Sequence, residues 1–272
     1  MDEERNALPR IQLISLLTDF GIKDAYVSTM KGVILRICPT ATIVDISHDV
    51  AKYDVLEGSF KLLQASPYFP EGTIHLAVVD PDVGTVRRRI IIQGRHCIYV
   101  GPDNGILSLA AKNDGVVKVL EIKNESFMLP NFSRTFEGRD IFAPTAAHLA
   151  NGVEIDEFGP QIDNFLNLSI AKPENKGGVL LGETIYIDDF GNITTNISEE
   201  MLREIAIGAS IEVTVGNTSK RCLFRKTYGE VPIGSPLLTL GSIGFLEVAV
   251  NQGSAKFLFK AKVGDKVSLL PL

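Results

Sequence analysis

The chain has 272 residues, enough for one large core or for two domains of unequal size. Apolar residues at 45% and charged residues at 22% match a soluble globular protein, and a net charge of −6 excludes the basic footprint of nucleic-acid binders and of proteins held on anionic membranes. No apolar run approaches the ~18 residues that span a bilayer, MDEERNALPR reads as a frayed leader without a signal peptide's apolar core, and Cys38, Cys97 and Cys222 lack CxxC spacing, so a cytoplasmic protein with reduced core cysteines, no disulfide and no zinc site is expected.

In chain order, Ile11 to Leu17 is a short apolar run that suits a buried strand and ends at Thr18-Asp19-Phe20-Gly21. Asp24 to Ile37 has helical spacing and stops before Pro39. Thr42 to Ile46 reads as a second strand, Val55 to Ala65 as a helix ended near Pro67, and Thr73 to Asp80 as a third strand. Runs centred on Ile91 and Ile98 are two more strands, joined by a turn at Gly94, and Ile141 to Ala150 is a further helix. This alternation predicts an α/β N-terminal domain, residues 1–172, with a mainly parallel sheet and flanking helices. The polar stretch PENKGG then reads as a linker. The short runs VLLGETIYI, ASIEVTVG, SPLLTLG, FLEVAV and DKVSLL, punctuated by Gly and Asn, predict a smaller C-terminal antiparallel β-barrel-like domain, residues 173–272.

Acidic residues gather at strand ends: Asp19 after the first, Asp45 in the second, Asp80 at the end of the third. Ligands of open parallel sheets bind beyond those carboxyl ends. A carboxylate there accepts both hydroxyls of a ribose diol, or caps the next helix. Asp45 is expected to be structural. In VVDPDVGTVRR, Arg87 lies seven residues beyond Asp80 across a Gly84 turn, with Arg88 beside it. An arginine so placed returns to the aspartate, either to orient a small polar reactant or as a structural ion pair. RTFEGRDIFAP clusters Glu137, Arg139 and Asp140 ahead of a helix. Asp140 reads as its N-cap, and Glu137 as a loop residue facing ligand or solvent. In IDDFGNITTNI, Phe190 beside Gly191 and Asn192 suits purine recognition, by ring stacking and amide pairing, or is an Asn-rich turn with a buried Phe. Asp80, Asp82 and Glu137 offer carboxylates, but no His joins them and no ligand spacing is recognisable, so no metal is expected.

Across nearly the whole chain after residue 10, these segments resemble the S-adenosyl-L-methionine (SAM) hydroxide adenosyltransferases, the family related to fluorinating and chlorinating SAM enzymes. The resemblance runs in order through LLTDFG, YVSTMKGVI, IVDISHDV, FPEGTIHLAVVDP, VGTVRR, GPDNG, TFEGRDIFAP, IDDFGNITTNI and GSIGFLEVAVNQGSA. It implies a homotrimer with its site between the N-terminal domain of one subunit and the C-terminal domain of the next. It implies Asp19 as the ribose-diol ligand and Asp188 as the partner of the methionine amino group. Phe190 and Asn192 become the adenine contacts and Ser242 the methionine carboxylate contact. Asp80 and Arg87 match two members of an Asp-Arg-His triad associated with the attacking water.

The implied activity is hydrolysis of SAM to adenosine and methionine, with SAM as substrate and no cofactor. Two positions depart from the family pattern: Asp82 stands in place of the usual glycine, and Glu137 in place of the histidine of TFHGRD. Glu137 is expected to be a handicap, so that Glu137→His raises turnover and leaves ligand affinity nearly unchanged; the alternative is that Asp82 and Glu137 changed together, in which case it lowers turnover. The departures also favour a rival, a protein that binds SAM or adenosine without turnover. A SAM-dependent halogenase is disfavoured by Asp80, whose charge would repel a halide and which the halogenating relatives lack. A metal-dependent phosphoesterase is the most distant alternative.

Overall fold

A computed structural model of the chain describes Leu8, residues 11–130 and residues 133–272. Apart from Leu8, the leader MDEERNALPR therefore lies outside the described residues. The chain divides into two compact units, Met1–Leu168 and Ser169–Leu272. Among the described residues, no helix is long and apolar enough to cross a membrane. The three cysteines are free and buried.

In the first unit, β1 (Leu13–Thr18), β2 (Thr42–Ser47), β3 (Ile74–Val78), β4 (Arg89–Gly94), β5 (Ile98–Pro102) and β6 (Val116–Glu121) form one sheet in the order β2-β1-β3-β5-β4-β6. The neighbours β2, β1, β3 and β5 run parallel, while β4 is antiparallel to β5 and β6. Both faces are covered, which is why β1 and β3 read as nearly unbroken apolar runs. Ile14 and Leu16 pack with Met30 and Ile34 of α1 (Tyr26–Ile37) and with Ala143, Ala146 and Ala147 of α4 (Ala143–Ala150). Leu17 and Ala77 pack on the other side with Leu62 of α2 (Val55–Ala65) and with Ala110 and Ala111 of α3 (Ser108–Asp114). Each fully buried Leu, Ile or Met among them contributes about 1.5–3 kcal/mol.

The local signals explain most boundaries. The Asp54 carboxylate accepts from the Glu57 N–H at 2.9 Å and caps α2. Val27, Met30 and Ile34 form the buried stripe of α1, which begins at Tyr26 rather than Asp24. Two readings are corrected. Asp140 does not cap α4: it sits inside a π turn, Gly138–Phe142, that runs directly into the helix. There its buried carboxylate accepts from the Ser133 N–H at 2.7 Å and from Arg139 Nε at 2.6 Å. PENKGG is no linker either. Glu174–Lys176 is strand β7, and Gly177 and Gly178, both at positive φ, turn it back onto β8 (Val179–Ile187).

The second unit continues with β9 (Ile193–Ser198), β10 (Ser210–Val215), β11 (Thr218–Phe224), β12 (Pro236–Leu240), β13 (Phe245–Val250), α5 (Ala255–Phe259) and β14 (Lys266–Pro271). Strands β8 through β14 close into a barrel because β14 pairs with β8, with β7 outside the closure. Closure leaves the barrel strands no free edge. Pairing is antiparallel except between β11 and β12, which run parallel. Alternation is plain in β10, where Ile211, Val213 and Val215 are buried and Glu212 is exposed.

Candidate active site

The sheet order places a topological switch at β1. From β1 the chain passes through α1 to β2 on one side, then through α2 to β3 on the other. The crevice beyond the carboxyl ends of such a strand pair is where open α/β sheets bind ligands. Asp19 directly follows β1 and Asp80 closely follows β3, and both line a cleft of about 360 Å³ with Phe20, Tyr26, Tyr53 and Glu137.

Asp19 is buried and held from the segment after β2. Its Oδ2 accepts from the Tyr53 N–H at 2.9 Å, and its carbonyl oxygen accepts from Lys52 Nζ. Tyr53 adopts a left-handed backbone (φ 68°), uncommon for a non-glycine residue, to present that N–H. Beneath, Thr18 Oγ1 meets His48 Nδ1 at 2.9 Å, which ties the end of β1 to the residue just past β2. Phe20, Tyr26 and Phe136 meet edge to face or tilted, with centroids 5.1–5.8 Å apart, and make an aromatic wall of the cleft. Asp45 takes no part: it pairs with Lys31 at 2.6 Å and His48 at 3.0 Å. Burial works against its charge, but these partners hold its carboxyl below the usual range.

The Asp80 loop returns through Gly84, whose φ of +79° suits glycine. Arg87 then grips Asp80 with two donors, Nε to Oδ1 at 2.9 Å and Nη2 to Oδ2. The same Nη2 donates to Glu137 Oε2 at 2.5 Å, and Arg89 Nη2 donates to Glu137 Oε1 at 2.5 Å. Arg87 also lies 5.5 Å from the Phe142 ring centroid. Burial raises the Asp80 pKa, and the charges of Glu137 and Asp82 add to the rise against the pull of Arg87. Burial also opposes the charge of Glu137, whose side chain is 0% exposed, but Arg89 and Arg87 hold its carboxyl below the usual range. Asp82 points outward, and its carbonyl accepts from Thr85 within the loop.

The structure thus brings Asp19, Asp80 and Glu137 to one cleft, with Arg87 bonded to the last two. In the barrel, Asp188 and Asn192 close the β8–β9 turn on each other. The Asn192 N–H donates to Asp188 Oδ1 at 2.8 Å and Asn192 Nδ2 to Oδ2 at 3.0 Å. Phe190 is 80% exposed at the tip of that turn, not the buried ring of a plain hairpin. Ser242 is exposed on the turn between β12 and β13, outside that group. The β9–β13 register puts Phe245 beside Ser198 and Val248 beside Ile193, so the two turns lie at opposite ends of β9, roughly 20 Å of strand.

Two residues escaped the sequence reading. Arg89 is one; Arg87 and Arg89 flank Arg88, and period-two alternation sends Arg88 elsewhere, to Asp103 Oδ2 at 2.8 Å. Glu247 is the other, a buried carboxyl on β13 that accepts from Tyr228 Oη at 2.7 Å. Burial, with the Asp188 charge adding, raises its pKa. A lone charge inside FLEVAV was its signal.

Known proteins align with both units. The profile described as SAM hydroxide adenosyltransferase N-terminal domain matches residues 14–159, and that of the C-terminal domain matches residues 182–268. A Thermus thermophilus protein named (R)-S-adenosyl-L-methionine hydrolase is 39% identical, over 94% of this chain and 99% of its own. A fluorinase from an Actinoplanes species is 28% identical, over 94% and 97%. A solved structure of an uncharacterized conserved protein from Thermotoga maritima superposes with a TM-score of 0.91 at 38% identity, covering 94% of this chain and 99% of that one. With both halves matched in order and near-complete coverage, the chain belongs to the SAM hydroxide adenosyltransferase family.

Proposed function

We propose that this protein hydrolyses SAM, in the (R) configuration that its relatives' names specify, to adenosine and L-methionine. The supporting observation is the Asp80–Arg87–Glu137 cluster, buried in the cleft that Asp19 also lines. Water oxygen attacks the ribose 5′ carbon in line with the bond to sulfur. The electrons of that bond leave with the methionine sulfur, which becomes a neutral thioether. One proton from the water passes to solvent. The sulfonium is already a good leaving group, so the difficulty lies in the nucleophile, and no cofactor is needed.

Arg87 positions the water and favours its hydroxide form, while Asp80 fixes Arg87 by two hydrogen bonds. Asp80 and Glu137 each have both oxygens taken by guanidiniums, so both orient Arg87 and the water, and the proton leaves to solvent. Orientation lowers such barriers by ~7–11 kcal/mol, against roughly 10²–10⁴-fold in rate for a general base, so positioning is the larger effect. Asp19 takes the ribose diol, Asp188 the methionine amino group, and Phe190 and Asn192 the adenine; Ser242, at the far end of β9 from Asp188, is too distant to take the carboxylate of the same amino acid. The family resemblance, with these residues divided between two units, supports a homotrimer with shared sites.

The test is product analysis after incubation with (R)-SAM, with and without a chelator and chloride. Equal adenosine and methionine under every condition is expected. A halogenated nucleoside in chloride, a loss of products with chelator, or tight binding without product would each replace this reading.

A further inference from the structure

Glu137 brings a charge into a fully buried position, and that charge needs a partner. Arg87 does not supply it alone, because its Nε and Nη2 are already matched by the two oxygens of Asp80. The second positive charge is Arg89, whose Nη2 meets Glu137 Oε1 at 2.5 Å. Two carboxylates and two guanidiniums then sum to zero. Without Arg89 the remaining three groups carry a net negative charge where hydroxide must form. Glu137 would also draw on the one guanidinium left, through the Arg87 Nη2 that it already touches at 2.5 Å.

The strand delivers this pairing. Arg87 and Arg89 stand two residues apart at the entry to β4 and reach the same carboxylate, while Arg88 turns away to Asp103 and Asn164. The Arg89 side chain is 27% exposed, so it enters the cluster from the outside, with Glu137 as its link.

We propose that Arg89 is a positioning residue for the hydrolysis proposed above. It holds the Glu137 charge so that Arg87 stays bidentate on Asp80, and Glu137 with Arg89 acts as one neutral pair. The proposal rests on the hydrolase reading for its kinetic test and on the ion cluster alone for its spectroscopic one.

The kinetic test compares Arg89→Met, Arg89→Lys, Glu137→Gln and the Arg89→Met/Glu137→Gln double variant. Arg89→Met should lower kcat by up to about 10²-fold, the scale of a misplaced reactive group, with KM for SAM nearly unchanged. Arg89→Lys should recover part of the loss. The double variant should exceed Arg89→Met, because removing the uncompensated carboxylate restores neutrality. Wild-type kcat in Arg89→Met, or a double variant whose loss is the product of the single losses, overturns the proposal. The spectroscopic test follows the Arg87 Nε–Hε resonance in arginine-labelled protein, assigned by its loss in Arg87→Lys. It should be sharp in wild type, broadened by exchange in Arg89→Met and sharp again in the double variant. A signal unchanged in Arg89→Met overturns the proposal even if no variant, nor the wild type, turns over SAM; wild-type inactivity by itself defeats only the hydrolase reading.

Discussion

Asp19 and Asp45 are both aspartates near the carboxyl ends of parallel strands, and their surroundings separate them. Asp19 faces the cleft with one oxygen held by a backbone N–H, whereas Asp45 spends its charge on Lys31 and His48. Calorimetric titration with adenosine should therefore show Asp19→Ala losing ~1.5–3 kcal/mol of affinity and Asp45→Ala losing almost none. Equal losses would remove Asp19 from the site. Glu137 carries a pH signature. Its folded pKa lies below the unfolded value of ~4.3, so its stabilising contribution is full above that value and is lost as pH falls through the folded pKa. Glu137→Gln should lower the melting temperature at pH 7, with the gap narrowing below about pH 4.3. A gap constant with pH would contradict the ion-pair account. The Arg89 contact also decides between the two expectations for Glu137→His. Deleting the carboxylate removes the group that both guanidiniums hold and so loosens the placement of Arg87, and turnover should fall rather than rise in a rate assay.

At the scale of elements, the loop from Asp80 to Arg87 depends on its turn. An added Cβ at Gly84 would overlap the Arg134 carbonyl oxygen and would force a side chain into a left-handed backbone. Gly84→Ala should cost roughly 1–3 kcal/mol in a denaturant melt and lower kcat together with it. A variant as stable and as active as wild type would show that the loop does not set the cluster. The sequence made some elements legible and hid others for physical reasons. Helix α2 was readable to its last residue because an apolar stripe coincides with a capping aspartate and a following proline. Helix α3 has seven residues, too few to display a helical period, and the apolar run of β6 directly follows Gly115. The glycines of PENKGG carry the same composition in a linker as in a hairpin, and only strand pairing tells the two apart. At the site, Asp80 and Arg87 were legible because a glycine turn brings residues at that separation together. Arg89 was not, because the phase of β4 decides which of three consecutive arginines faces the cluster.

At the scale of the whole molecule, the candidate residues divide between units. Asp19, Asp80, Arg87 and Glu137 belong to Met1–Leu168, and Asp188, Phe190, Asn192 and Ser242 to Ser169–Leu272. If sites are shared between subunits, a mixture of inactive Asp19→Ala and Asn192→Ala proteins should regain activity after subunit exchange. A mixture no more active than its components would confine each site to one chain. Whether water oxygen becomes the 5′ hydroxyl of adenosine is read by mass spectrometry of the nucleoside released from (R)-SAM in ¹⁸O-enriched water. Adenosine with one heavy oxygen on its 5′ carbon, in step with methionine release, is expected. Adenosine without the label, or SAM recovered intact from its complex with the protein, would contradict the proposed hydrolysis.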